Sequence, residues 1–250
     1  MQIGGLQKTT LIDFPGRVAA TVFLYGCNFR CPWCYSPELV LPEKIKRQPK
    51  IPEKDFFKFL KERRKLLDGL VLCGGEPTIH KDLPDFIKKI KKLGYLVKLD
   101  TNGSNPEMLK KLIDKKLAKR DSLSSLTSLP QSGSSLIDYV AMDIKAPKEK
   151  YNEATGIKVN IQNIQKSIDI LKKDKVDYEF RSTIVPTVHT KEDVIEMAKW
   201  IKGAKRYYLQ NFRPEKTIDP KFEKIKPYTQ EYLVEIQKAI SPFFEVCQIR

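Results

Sequence analysis

Strand-like and helix-like patterns of hydrophobic residues alternate along this chain from residue 18 onward. Runs of apolar residues predict strands, and apolar positions spaced three and four apart predict helices. The predicted strands cover 18–25, 69–73, 95–99, 139–144, 178–185, 206–210 and 243–249. The predicted helices cover 53–67, 82–93, a segment opened by Asn105 and Pro106, 161–172, 191–202 and 230–240.

This repeated order of strand and helix predicts right-handed crossovers between parallel strands. Six such units are too few to close an eight-stranded barrel, so we expect an α/β fold, a partial (β/α)6 barrel of the TIM type. A single domain should span residues 1–250, with its core at about 15–215 and a C-terminal helix and strand at 216–250. The Ser- and Leu-rich stretch 121–135 is predicted to be a flexible insertion.

The charge of the chain is strongly positive, with 46 Lys and Arg against 31 Asp and Glu, a net charge of +15. Such a balance would suit nucleic acid. However, the lysines lie mostly in predicted helices such as 86–93, where they form solvated faces, so a nucleic-acid partner is not expected. The start of the chain lacks a signal-peptide pattern, and the longest apolar run, 18–25, is too short to cross a bilayer. We therefore expect a cytoplasmic protein without a membrane partner.

Three of the five cysteines, Cys27, Cys31 and Cys34, lie within eight residues, directly after the first predicted strand. In an intracellular chain such clustering indicates a metal rather than a disulfide framework. A zinc ribbon would offer two separated pairs of ligands, and no fourth ligand is near. Three thiolates can instead hold a [4Fe–4S] cluster and leave its fourth iron open. A structural zinc site and a redox disulfide between Cys31 and Cys34 are the alternatives, while Cys73 and Cys247 are interpreted as buried structural thiols.

Polar residues also follow the next strands, where functional residues of parallel barrels gather. Gly74 and Gly75 would let the backbone approach a ligand, and Glu76 could accept hydrogen bonds from an ammonium group, although a tight turn would explain the same residues. Asp100 follows the third strand and Asp143 ends the fourth, where they are either loop caps or site residues.

The cysteine spacing C-x3-C-x2-C, with Trp33 before the last cysteine, resembles the signature of the radical S-adenosylmethionine (SAM) superfamily. The segments 11–16 and 26–34 together resemble the glycyl-radical-enzyme activating enzymes, and among them the activating proteins of anaerobic ribonucleoside-triphosphate reductase. The resemblance extends from Gly5 to about residue 214, apart from the insertion. Tyr35 departs from it, because many members carry His there.

This resemblance implies a [4Fe–4S] cluster on Cys27, Cys31 and Cys34, with SAM bound at the open iron. A flavodoxin or ferredoxin would supply one electron, SAM would be cleaved, and the 5′-deoxyadenosyl radical would abstract hydrogen from a glycine of a partner glycyl-radical enzyme. The chain would then be an oxidoreductase, and its partner would be anaerobic ribonucleoside-triphosphate reductase. The alternatives are a radical SAM enzyme that acts on a small molecule or tRNA-modification precursor of the 7-deazaguanine type, and a basic RNA- or zinc-binding module.

The resemblance also implies roles for individual residues. The cofactor-binding residues would be Trp33, Cys34, Tyr35, Gly74, Gly75, Glu76, Asp100, Asn102, Asp143 and Lys145. Gly74, Gly75 and Glu76 would contact the amino group of SAM, and Lys145 would contact the cofactor directly. A monovalent cation beside the SAM carboxylate would be held by Asp100, Thr101 and Asp143. Arg181, in the fifth predicted strand, could line the pocket, lie in the core or lie at the surface.

Overall fold

A computed structural model describes residues 1–115 and 135–250. The strands of this part of the chain form one sheet in which their spatial order equals their order in sequence. They are β1 (Ile3–Thr10), β2 (Ala19–Leu24), β3 (Gly69–Gly74), β4 (Leu96–Thr101), β5 (Tyr139–Asp143), β6 (Asp177–Ile184), β7 (Arg206–Asn211) and β8 (Val246–Ile249). β1 runs antiparallel to β2, and every later pair is parallel.

The described α-helices lie between these strands. They are α1 (Pro37–Val40), α2 (Pro42–Ile45), α3 (Glu53–Glu62), α4 (Leu83–Lys92), α5 (Pro106–Asp114), α6 (Tyr151–Thr155), α7 (Ile161–Lys172), α8 (Lys191–Trp200) and α9 (Gln230–Ile240). Local signals in the sequence explain several starts: the Asn105 side chain accepts a hydrogen bond from the Met108 amide, and Thr190 forms a reciprocal capping box with Asp193.

The predicted partial (β/α)6 barrel is confirmed, with β2 to β7 as the strands of the six units. The strand β1 and the short helices α1, α2 and α6 were not predicted. β1 is an edge strand with two glycines and four polar residues among its eight, so its sequence lacks a strong alternating pattern. The predicted strand 243–249 begins only at Val246, because Ser241–Phe243 forms a 3₁₀ turn. Of the predicted insertion, all but Ser135 lies outside the described residues.

The two faces of the sheet differ in polarity, because side chains alternate along each strand. One face packs against the helices in a large apolar core that includes Leu72, Leu99 and Phe180. The opposite face lines the barrel interior, where a small apolar cluster around Phe14 and Val71 lies below polar residues. The interior therefore combines this apolar cluster with the Glu179–Arg250 ion pair near the strand starts, and it carries a second charged group where the parallel strands finish. Within the described ranges, no helix combines the length and the apolar character that a membrane span needs.

Candidate active site at the carboxyl ends of the strands

The three clustered cysteines lie on the loop that leaves β2. The loop is held by its own backbone: the Cys34 amide donates to the Cys31 carbonyl at 3.0 Å, and the Phe29 amide points at Cys27 Sγ at 3.3 Å. The Arg30 guanidinium donates to the carbonyls of Cys27 and Phe29 at 2.6 and 2.7 Å. These contacts bring the three thiols, as predicted, to the end of the first parallel strand.

Distant segments hold the same loop from its other side. The amides of Ile218 and Asp219 donate to the carbonyls of Cys34 and Pro32 at 3.1 and 2.9 Å. The Arg30 amide donates to the Thr155 carbonyl at 2.8 Å. Protein contacts therefore hold the loop on both flanks.

Burial is the main influence on the three thiols. It raises the pKa of Cys31 to about 12 and that of Cys27 to about 11, and it also raises the pKa of Cys34. The nearby Lys145 ammonium lowers the pKa of Cys31, but not enough to offset burial. The thiols are therefore protonated at neutral pH until a metal displaces their protons.

The arrangement of these thiols fits a cluster of several irons better than one ion. A single Zn²⁺ needs its sulfur ligands about 2.3 Å from one point. Within residues 1–115 and 135–250, no three His, Cys, Asp or Glu side chains converge in that way. A [4Fe–4S] cluster instead binds each thiolate through a different iron, so the three sulfur atoms need not meet.

A buried hydroxyl without a partner lies beside this loop. The Tyr151 side chain is buried, and its hydroxyl has no hydrogen-bond acceptor among the described residues. Burial raises the pKa of Tyr151. The charge and the backbone amide of Lys145 oppose this increase, whereas Cys31 adds to it. The hydroxyl is therefore close enough to Lys145 and Cys31 to interact with both. An unsatisfied buried donor costs about 1–3 kcal/mol. A thiolate on Cys31, or a sulfide of a bound cluster, would supply the acceptor, so this hydroxyl supports the fit of an iron–sulfur cluster.

The glycine pair after β3 packs directly against the start of the cysteine loop. The Gly75 amide donates to the Leu24 carbonyl at 2.9 Å, and the Glu76 amide donates to the Gly26 carbonyl at 2.8 Å. A Cβ atom on Gly75 would lie 1.9 Å from the Gly26 oxygen, and Gly74 has a φ of +115° with no space for a side chain. The glycines are thus required by the approach of two backbones, one of which leads into Cys27.

Glu76 joins the end of β3 to the end of β4. Its side chain is only 1% exposed. It accepts hydrogen bonds from the Asn102 amide at 2.6 Å, the Thr101 hydroxyl at 2.7 Å and the Thr78 amide at 3.0 Å. Burial raises the pKa of Glu76, and these hydrogen bonds oppose the shift. The contact of Glu76 with the SAM amino group stays a prediction; in this structure its carboxylate organises two neighbouring loops.

Glu76→Gln should lower the stability of the protein measurably. The new amide NH₂ would face at least one backbone or hydroxyl donor, such as the Asn102 amide, and leave it without an acceptor. We expect a loss of about 1–3 kcal/mol, or roughly 2–10 °C in the thermal midpoint. Differential scanning calorimetry checks this result against Glu62→Gln, which changes an exposed residue. Equal midpoints for both variants would contradict the structural role of Glu76.

Asp100 and Asp143 meet at the rim of the barrel, but protein cations engage both of them. Arg181 bridges the two carboxylates at 3.1 Å each. Lys98 donates to Asp100 at 2.5 Å, and Lys145 donates to Asp143 at 2.9 Å. Arg181 thus lies between the two carboxylates at the rim, and its place in a cofactor pocket stays a prediction. The monovalent cation stays a prediction, and every carboxylate oxygen that it would need already accepts from a protein cation.

The other predicted cofactor-binding residues occupy different environments. Trp33 is 4% exposed and packs edge-on against His189, with ring centroids 5.7 Å apart. Tyr35 is 60% exposed, and its hydroxyl is within electrostatic reach of Lys145. The Asn102 side chain donates to the Asn28 side chain at 3.0 Å and so connects β4 to the cysteine loop. Their contacts with the cofactor stay predictions.

Two site residues, Lys98 and Tyr151, were not identified from the sequence. Lys98 stands in the otherwise apolar strand β4, two positions before Asp100 and hence on the same face. A lysine inside a buried strand is unusual unless it is paired, and that signal was present in the sequence. Tyr151 belongs to the short helix α6, and nothing in its neighbourhood in sequence points to the cysteine loop.

Comparisons with known proteins find one matching family model and several relatives in sequence and structure. The family model described as "Radical SAM superfamily" matches residues 21–201. A protein of Methanocaldococcus jannaschii, named as a candidate glycyl-radical enzyme activating enzyme, is 32% identical over 99% of this chain and 95% of its own length. The 7-carboxy-7-deazaguanine synthase of Aquifex aeolicus is 35% identical over 36% of this chain and 38% of its own length. The structure of Streptococcus suis SuiB bound to S-adenosylmethionine has a TM-score of 0.61 at 16% identity, and the alignment covers 91% of this chain and 51% of that protein.

The chain belongs to the radical SAM superfamily, and it is an oxidoreductase that uses a [4Fe–4S] cluster and SAM. Within the superfamily it belongs to the glycyl-radical enzyme activating enzymes, since the M. jannaschii relative aligns with nearly its whole length. The predictions of family, fold and cofactors are thereby confirmed.

Proposed function

We propose that this enzyme generates a glycyl radical on anaerobic ribonucleoside-triphosphate reductase in the cytoplasm. The observation that carries the proposal is the similarity to the M. jannaschii relative over 99% of this chain. The resemblance of segments 11–16 and 26–34 to activating proteins of that reductase supports the choice of partner.

In this proposal the residues at the carboxyl ends of the strands hold the cluster and SAM. Cys27, Cys31 and Cys34 are the cluster ligands. When bound, the cluster supplies the electron that cleaves SAM into methionine and a 5′-deoxyadenosyl radical. The turn of Gly74, Gly75 and Glu76 positions the amino group of SAM. Tyr35 and Lys145 contact the cofactor from the open side of the site.

The reaction with the partner consumes one electron and one molecule of SAM for each glycyl radical. One external electron enters, the sulfonium–C5′ bond of SAM breaks, and the resulting radical takes a hydrogen atom from the α-carbon of a glycine. The products are methionine, 5′-deoxyadenosine and a glycyl radical. The electron donor in the proposal is a flavodoxin or ferredoxin, and the net charge of +15 favours docking of an acidic donor.

A small-molecule reaction of the 7-deazaguanine type is the second proposal. It is favoured by the 35% identity to the A. aeolicus 7-carboxy-7-deazaguanine synthase, and that alignment covers only 36% of this chain. It predicts turnover without a protein partner.

The test of the proposed function is radical formation on the partner. Anaerobically reconstituted enzyme, SAM, a reductant and the reductase of the same organism should give a glycyl radical signal in electron paramagnetic resonance, with one 5′-deoxyadenosine per radical. A reductase in which the radical-bearing glycine is replaced by Ala is the control and should give no signal. An enzyme that cleaves SAM but forms no radical on the reductase would contradict the choice of partner. Turnover of a purine-like or pterin-like small molecule without the reductase would favour the second proposal.

A further inference from the structure

The carboxylates of Asp100 and Asp143 have no free oxygen. The two oxygens of Asp100 accept from Lys98 Nζ at 2.5 Å and Arg181 Nη1 at 3.1 Å. The two oxygens of Asp143 accept from Arg181 Nε at 3.1 Å and Lys145 Nζ at 2.9 Å. Each oxygen thus has its own cationic donor, and one guanidinium joins the two acids.

The pairing of β4, β5 and β6 places Asp100, Asp143 and Arg181 side by side. Asp143 on β5 lies directly opposite Arg181 on β6. Asp100 on β4 lies opposite Ala141 on β5, whose small side chain leaves room for the guanidinium to reach across one strand. The planar fork of Arg suits two separate carboxylates better than an ammonium would.

The electrostatics of the group favour permanently charged side chains. The side chains of Asp100 and Asp143 are only 11% and 25% exposed, and each is paired with two protein cations. Within this group three cations face two carboxylates, and the next acid along the rim is Glu76, which accepts from the Thr101 hydroxyl. A further cation would have to share each carboxylate oxygen with the Lys or Arg that already donates to it, and these side chains would repel it.

We propose that Arg181, together with Lys98 and Lys145, is a built-in cation that replaces the monovalent metal ion expected at Asp100, Thr101 and Asp143. The Thr101 hydroxyl also has protein partners, since it donates to Glu76 at 2.7 Å and its oxygen accepts from the Gly103 amide at 3.1 Å. In this proposal the cationic group takes the place of the metal ion beside the SAM carboxylate, so Arg181 is a positioning residue for the cofactor. The inference rests on SAM being bound at this site, and it is independent of the identity of the partner enzyme.

The first test is the response of the unaltered protein to monovalent cations. SAM binding to the cluster-loaded enzyme is measured by isothermal titration calorimetry in choline, sodium and potassium chloride at equal ionic strength. The dissociation constant should be the same within about twofold in all three salts, because no metal ion takes part. The thermal midpoint of the cluster-free protein should likewise be equal in the three salts. An affinity that rises about tenfold with sodium or potassium would overturn the proposal.

The second test removes the guanidinium. In choline chloride, Arg181→Gln should bind SAM about tenfold more weakly, and potassium or sodium should restore several-fold of that loss by occupying the vacated oxygens. Arg181→Lys keeps the charge but loses the fork that spans both carboxylates, so it should lose less affinity for SAM than Arg181→Gln and should gain less from potassium or sodium. Arg206→Gln, on the neighbouring strand at the opposite end of the barrel, is the matched control and should bind SAM normally.

Two results from the variants would overturn the inference. One is a folded Arg181→Gln protein that binds SAM normally in choline chloride. The other is a weakened variant that no monovalent cation restores, which would make Arg181 a ligand of SAM and not the equivalent of a metal ion. If Arg181→Gln fails to fold, the salt series on the unaltered protein and on Arg181→Lys decides the matter. These measurements contain no partner enzyme, so their failure is distinct from a failure to form a glycyl radical.

Discussion

Cys31→Ala should remove the iron–sulfur cluster and lower the rate of reductive SAM cleavage by more than about 100-fold. Loss of a residue that only supports a metal ligand typically costs 10–100-fold in metal affinity or activity, so loss of a ligand should cost more. Cys31 is the most buried of the three thiols. Its backbone carbonyl accepts a hydrogen bond from the Cys34 amide. The substitution to Ala keeps that backbone contact and removes only the sulfur.

The measurement is iron and sulfide content, visible absorbance and 5′-deoxyadenosine formation after anaerobic reconstitution. Cys247→Ala is the matched control, because Cys247 is a partly buried thiol on β8, outside the site. It should keep the full iron content and rate. If Cys31→Ala retained iron and SAM cleavage at the level of this control, the assignment of the three ligands would be wrong.

The positions of the main site residues could be predicted because they follow strands. Parallel strands of a barrel end at one rim, so Cys27, Gly74, Asp100 and Asp143, each placed after or at the end of a strand, had to lie near one another. The prediction needed only the approximate carboxyl ends of the strands. The observed carboxyl ends differ from the predicted ones by no more than about two residues. Errors of that size change the bounds of an element and leave its order in the sheet unaltered.

The partners of those residues could not be predicted, because they depend on side chains from other strands. Glu76 carries the sequence signal of a ligand-binding turn, yet the end of β4 provides its hydrogen bonds. Arg181 is 81 residues from Asp100 in sequence and reaches it only through the register of β5 and β6. Patterns within one element give the direction of a side chain, whereas its ion pairs follow from the packing of the whole barrel.

The edge strand β1 illustrates a second limit. Its pairing with β2 is irregular between Ile3 and Gly5 and between Gln7 and Thr10. An irregular antiparallel edge does not produce the alternation from which strands are recognised. The backbone pairing with β2, rather than the hydrophobic pattern, makes this segment a strand.

Gly75→Ala should destabilise the protein by about 3–5 kcal/mol and reduce iron incorporation at least about tenfold. The added Cβ would lie 1.9 Å from the Gly26 carbonyl oxygen. This oxygen belongs to the backbone, so it cannot rotate away as a side chain could. Overpacking of this kind typically costs 1–3 kcal/mol. Two hydrogen bonds between this turn and the β2 end, from Gly75 to Leu24 and from Glu76 to Gly26, would also be strained at about 1 kcal/mol each.

The effect on iron follows from the place of the collision. Gly26 immediately precedes Cys27, so relief of the overlap moves the first cluster ligand away from Cys31 and Cys34. Calorimetry should show a thermal midpoint lower by roughly 6–15 °C, and iron analysis should show the loss of cluster. Gly5→Ala is the matched control, since a Cβ there meets the Phe23 ring at an ordinary distance of 3.4 Å. A Gly75→Ala protein with normal iron content and a normal midpoint would mean that the cysteine loop does not depend on this backbone contact.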